Sequence, residues 1–147
     1  MKIFLDGDAC PVTDIAIRVA KEYGVEIVLV KNYAHVIEDS YATIVTVDIA
    51  RDSADFYIVN NTEKDDIVIT QDYGLAAMAL SKGGICINQN GLIISSHNID
   101  ELLSRRHINQ KLRREQKIYS KFKKRDKKAD IKFEKSLREL VIRAQKV

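Results

Sequence analysis

The residues of this chain best placed to do chemistry are aspartates. Asp6 closes the short apolar run Lys2–Asp6, Asp8 follows across one glycine, and Asp72 comes just after the run Ile67–Thr70. Asp52 and Asp55 stand three apart, a spacing that shares one helix face. In a parallel sheet the loops at the carboxyl ends of strands share one edge, so acids far apart in sequence converge there. Gathered carboxylates repel: unit charges 4 Å apart cost roughly 4 kcal/mol at an effective dielectric near 20. Only seven Lys and Arg accompany fifteen Asp and Glu in residues 1–100, too few to neutralise them. Mg²⁺ or Mn²⁺ is the expected counter-charge, since hard cations take a few carboxylates and keep sites open to water and phosphate. One such ion activates a water and a second stabilises the leaving oxygen of a phosphodiester. Asp6, Asp8, Asp55 and Asp72 are therefore the candidate catalytic and metal-ligating set.

Each acid also has a plainer reading. An Asp after a strand is often a helix cap, which alone would explain Asp8 or Asp72. Asp52 begins its helix and reads as an N-cap, whereas Asp55 falls a turn too late for capping. Asp65 and Asp66 precede their strand and read as solvated turn residues at the opposite edge. Cys10 reads as a small buried hydrophobe. His35, His97 and His107 show no ligand or triad spacing, and neither GxGxxG nor GxxxxGK[ST] occurs.

The elements that must position these residues follow from length and pattern. At 147 residues with 46% hydrophobic content, the chain suits one domain with one core. Its longest apolar runs, such as Ile27–Val30, are far too short to span a bilayer. An acid six residues from the start is not the form of a signal peptide, and two cysteines make no disulfide framework, so a cytoplasmic setting is expected. Unalternating runs at Lys2–Asp6 and Glu26–Val30 predict buried strands, the first covered on both faces, and Thr43–Val47, Asp66–Thr70 and Ile85–Ile87 predict three more. Helices are expected from Pro11 to Tyr23 with Gly24 as a left-handed cap, from Asp52 through Ile58, and over Leu75–Ser81. Asn90-Gly91 predicts a turn and a small hairpin to Leu92–Ile94. Asn98 with Glu101 predicts a capping box for a further helix. The alternation predicts an α/β fold, a three-layer sandwich with a mostly parallel central sheet.

After about residue 105 the composition changes. Residues 101–147 carry 17 Lys and Arg against 6 Asp and Glu, a charge of +11, while residues 1–100 carry −8, which gives +3 for the whole chain. A basic stretch over 113–128 points to a polyanionic partner, with Arg113, Arg114, Lys121, Lys123, Lys124 and Arg125 as candidate nucleic-acid contacts. Phe133, Leu137, Leu140, Val141 and Ala144 form an amphipathic stripe with Asp130 as its expected cap. That stripe must bury itself on the domain or against a second subunit, the latter making a homodimer. The expected division is an α/β domain over 1–112 and a basic helical C-terminal extension over 113–147.

Three segments together resemble the YaiI/YqxD family of bacterial proteins: Phe4-Leu5-Asp6-Gly7-Asp8-Ala9-Cys10-Pro11, Asp52-Ser53-Ala54-Asp55, and Ile67-Val68-Ile69-Thr70-Gln71-Asp72-Tyr73-Gly74-Leu75-Ala76. The resemblance runs over residues 1 to about 112, including Asn98-Ile99 and Leu112-Arg113-Arg114. Members are generally uncharacterised, with a fold similar to the PIN domain of metal-dependent nucleases. It implies three or four acids around Mg²⁺ or Mn²⁺ that hydrolyse single-stranded RNA, with RNA more expected than DNA. By position Asp6 matches the acid ending the first strand, Asp55 the mid-chain helix acid and Asp72 the acid after the fourth strand. Asp8 is an additional acid beside the first. The mid-chain acid of PIN nucleases is commonly Glu, and Asp55 has a shorter reach.

Two other readings stand beside the nuclease. A haloacid dehalogenase-type phosphatase also begins with a strand and Asp-x-Asp, Asp6 then being nucleophile and Asp8 general acid. Against it, Cys10 replaces the usual small residue, and Lys64-Asp65-Asp66 precedes its strand instead of ending one. The other is a non-catalytic, metal-stabilised RNA-binding or interaction module, in which the basic tail supplies the electrostatics and the acids are structural.

Overall fold

A computed structural model describes residues 1–7, 11–32, 39–47, 53–105 and 125–146. The strands are β1 (Lys2–Asp6), β2 (Glu26–Asn32), β3 (Thr43–Val47), β4 (Ile67–Ile69), β5 (Ile85–Ile87) and β6 (Ile93–Ile94). The helices are α1 (Thr13–Tyr23), α2 (Ser53–Asn61), α3 (Tyr73–Ser81), α4, described over 99–105, and α5 (Lys127–Gln145). The sheet has the order β3-β2-β1-β4-β5-β6, parallel throughout except for β6, which runs antiparallel to β5. The expected α/β fold around a mostly parallel sheet is what the chain forms.

The apolar runs lack alternation because both sheet faces are covered. Ile3, Leu5, Ile27, Leu29, Ile67 and Ile69 share one core with α1 and α5. Phe4, Val28, Val30, Val68 and Cys86 share the other with α2 and α3. From β1 the chain crosses by α1 to β2 on one side, and from β4 it crosses by α3 to β5 on the other. The two helices lie on opposite faces, as crossovers of one hand require when they leave in opposite directions. The strand order thus reverses between β1 and β4, the place where open α/β sheets form their binding crevice, outside the carboxyl ends of the strands.

Local chemistry explains most element ends. Gly24, at φ 65°, caps α1, and Val25 N–H donates to Ala20 O at 2.8 Å. Pro11 lies in a turn two residues ahead of α1, so the helix starts later than its imide suggests. Two further expectations are corrected. Asn98 and Glu101 do not form a capping box: Asn98 Oδ1 accepts from Ser95 N–H at 2.8 Å, and Glu101 pairs with Arg105 at 2.6 Å. The cap of α5 is Asp126, whose side chain accepts from Lys128 N–H at 3.0 Å, while Asp130 pairs with Arg125 at 2.6 Å.

The C-terminal stripe buries itself within this chain. Phe133, Leu137, Leu140 and Val141 lie in the core beside α1. The close approach is visible at Gly91, in the β5–β6 turn, where an added Cβ would stand 2.8 Å from Lys132 O.

Candidate functional site

Asp6 is the last residue of β1, opposite Val30 of β2. Strand side chains alternate, so Asp6 follows Phe4 toward the α2–α3 face, and Thr70, following Val68, points the same way. Gly7 holds the chain tightly there: its N–H donates to Val30 O at 2.8 Å, and a Cβ would meet that oxygen at 2.9 Å. Any larger residue would push the end of β1 off β2.

Thr70 joins two of the expected acids. Its hydroxyl donates to Asp6 Oδ2 at 3.2 Å and accepts from Asp72 N–H at 2.9 Å. Its own N–H donates to Ile87 O at 3.1 Å, and it is buried, so the hydroxyl is fixed. Asp72 then caps α3, with Oδ1 accepting from Gly74 N–H at 2.9 Å and Leu75 N–H at 3.3 Å. Asp6 and Asp72, 66 positions apart in sequence, therefore belong to one hydrogen-bonded chain at the β1–β4 crevice.

Asp55 sits in the first turn of α2, which follows β3 and so begins at the same sheet edge. It shares a helical stripe with Ile58 and Thr62, both buried on the α2–α3 face, and is itself half-buried. Asp8, Asp52, Cys10, Arg113, Arg114, Lys121, Lys123 and Lys124 lie outside the described residues. Among the described residues no group of three or more His, Cys, Asp or Glu is arranged to hold a metal ion. The donors present are still of the right kind: carboxylates and a hydroxyl are hard oxygen ligands, and Mg²⁺ commonly rests on one or two carboxylates with water and phosphate completing its shell.

Other acids and cations have different work. Asp66 is not a solvated turn residue. It is buried and accepts from Lys2 N–H at 2.9 Å and Glu63 N–H at 2.8 Å, fastening the amino ends of β1 and β4. Arg125 spends its guanidinium on Asp130, Asn90 Oδ1 and Gln89 O, anchoring the start of α5 to the β5–β6 turn. Burial pushes the Cys86 thiol up to about 12, so it is neutral and inert at ordinary pH. His97 is exposed. Thr70 was invisible as a site residue in the sequence. The only available signal was its place two residues before Asp72, at a strand end level with Asp6.

The family model described as "Uncharacterized BCR, YaiI/YqxD family" matches residues 4–143. That match extends well past residue 112 and takes in the basic segment and most of α5. A UPF0178 protein of Alkaliphilus oremlandii is 53% identical over 137 residues, covering 93% of this chain and 88% of the relative. UPF0178 proteins of Natranaerobius thermophilus and Ruminiclostridium cellulolyticum are each 49% identical, over 142 and 137 residues. The first pairing covers 97% of both chains, and the second 93% of this chain and 90% of the relative. No solved structure matches the chain. No helix among the described residues is long and apolar enough to cross a membrane.

Proposed function

The chain belongs to the YaiI/YqxD family, and from that premise we propose that it is a divalent-metal-dependent ribonuclease with a PIN-like site. The observation that carries this reading is the Asp6–Thr70–Asp72 chain at the carboxyl ends of β1 and β4. Ligands of open α/β sheets bind where the strand order reverses, and here that place is lined by carboxylates.

Asp6 and Asp72 would hold Mg²⁺ or Mn²⁺, with Asp55 and Asp8 completing the acidic set. When bound, the ion would lower the pKa of a water and offset charge on a phosphodiester oxygen. The protein's own part is positional. Thr70 fixes the Asp6 carboxylate by a hydrogen bond, and the first turn of α3 fixes that of Asp72. Both acids would then be held ready for the ion without reorganising, which is the condition for strong electrostatic stabilisation. The basic residues Arg113, Arg114, Lys121, Lys123 and Lys124 would attract the RNA backbone, Arg125 being held by Asp130 and the β5–β6 turn.

A melting titration with MnCl₂ tests the metal. At a hundredfold excess over the dissociation constant, binding adds about 2.7 kcal/mol of stability, or roughly 5–10 °C for a chain of this size. The gain should vanish in Asp6→Asn, and Mn²⁺-dependent cleavage of a labelled single-stranded RNA should vanish with it. A wild-type melting temperature indifferent to both Mn²⁺ and Mg²⁺ would overturn the enzyme. The second reading, an RNA-binding module without turnover, is favoured by the capping duty of Asp72. Metal stabilisation and RNA binding without cleavage would select it.

A further inference from the structure

Helices α1 and α5 lie side by side on the face opposite α2 and α3, and a groove of about 660 Å³ runs between them. Its direction follows from the ends of α5. Arg125 ties the start of α5 to Gln89 and Asn90, just beyond the carboxyl end of β5. Gln145 Nε2, at the other end, donates to Tyr23 O at the close of α1. The groove walls are the early part of α1, Ile15 and Arg18, and α5 from Lys127 to Arg138. The groove therefore begins at the sheet edge that carries Asp6 and Asp72.

The groove's charges are asymmetric. Its inner acids are already matched: Glu134 pairs with Arg18 and with Arg138, at 3.2 Å for the latter, and Asp130 pairs with Arg125. Arg138 also bonds Glu22 at 2.7 Å, and those contacts hold its guanidinium protonated. Lys127 and Lys135 make no ion pair or hydrogen bond among the described residues. They stand four positions either side of Ile131, which is 69% exposed and shares the groove with Ile15. The result is an aliphatic floor between two uncommitted ammonium groups about 12 Å apart along the helix. That pattern suits a strand carrying phosphates at intervals and apolar base faces between them.

We propose that the α1–α5 groove is the track of single-stranded RNA, with Lys127 and Lys135 on alternate phosphates and Ile131 with Ile15 beneath the bases. The choice of ligand rests on the ribonuclease reading, and the groove extends it by fixing the path the strand takes away from the acids.

Anisotropy of a fluorescein-labelled 20-nucleotide oligouridine, titrated with the full chain in EDTA at 50–200 mM salt, tests this apart from catalysis. Each phosphate contact contributes about −0.7 to the slope of log affinity against log salt for single strands. Lys127→Gln/Lys135→Gln should flatten the slope by about 1.4, so its loss of affinity across that range is about sevenfold smaller than that of the wild type. Lys64→Gln/Lys82→Gln removes equal charge from the opposite sheet edge and should leave the slope unchanged. Equal slopes for the two variant pairs, or no salt-dependent binding by the wild type, would overturn the track. Absent cleavage in Mn²⁺ would sink the nuclease and leave this result standing.

Discussion

Asp72 caps α3, and substitution separates that duty from the proposed metal binding. Asp72→Ala removes the cap of α3 and should cost about 0.5–2 kcal/mol in urea denaturation. Asp72→Asn keeps a capping oxygen, so its melting temperature without metal should stay near that of the wild type while the Mn²⁺-induced rise is lost. If Asp72→Asn keeps the full Mn²⁺-induced rise, Asp72 is a cap and nothing more. Cys86 gives a second residue-scale expectation. Its thiol is raised from an ordinary 9.0 to about 12 by burial, so it is neutral in both folded and unfolded chains below pH 9. Between pH 9 and 12 only the unfolded chain ionises there, and stability must fall as pH rises. Urea midpoints at pH 8 and 10.5 should diverge more for the wild type than for Cys86→Ala. At this scale the sequence exposed Asp6 and Asp72, because an acid ending an apolar run is conspicuous. Thr70 stayed hidden because a hydroxyl at a strand end follows no pattern. Asp66 was misread because its partner, the N–H of Lys2, lies 64 positions away.

Among elements, the hairpin and α5 make the sharpest comparison. Gly91 sits at φ 83° with the α5 backbone 2.8 Å from where a Cβ would be, whereas Gly24, at φ 65°, has nothing within 4 Å. Gly24→Ala should cost only the left-handed penalty of about 1–2 kcal/mol. Gly91→Ala adds displacement of α5, for a total of about 2–5 kcal/mol. Chemical denaturation of the two variants checks the order, and equal losses would mean that α5 moves aside freely. The central strands β1, β2, β4 and β5 were legible because burial on both faces writes itself as unbroken apolar runs. Helix starts were less so. The α5 stripe becomes visible only at Phe133, and two acids precede it. Periodicity cannot tell that the polar turn from Lys127 is helical already, which makes Asp126 the cap. Asn98 and Glu101 had capping-box spacing, yet each found a nearer partner in Ser95 or Arg105.

At the scale of the whole molecule, α5 is a structural layer over the face formed by Ile3, Leu5, Ile67 and Ile69. A chain ending before Lys127 would leave that face to water. It should show no cooperative melt and should bind a hydrophobic dye, as loosely packed states do. A sharp transition in the shortened chain would instead make residues 1–112 a self-sufficient unit. The burial of α5 also constrains biosynthesis. Leu29 cannot meet Phe133 or Val141 until the ribosome has added more than a hundred further residues, an interval of roughly 5–20 seconds at common elongation rates. Throughout that wait the nascent sheet presents a bare aliphatic surface, so the growing polypeptide is a natural client for chaperones that shield emerging chains.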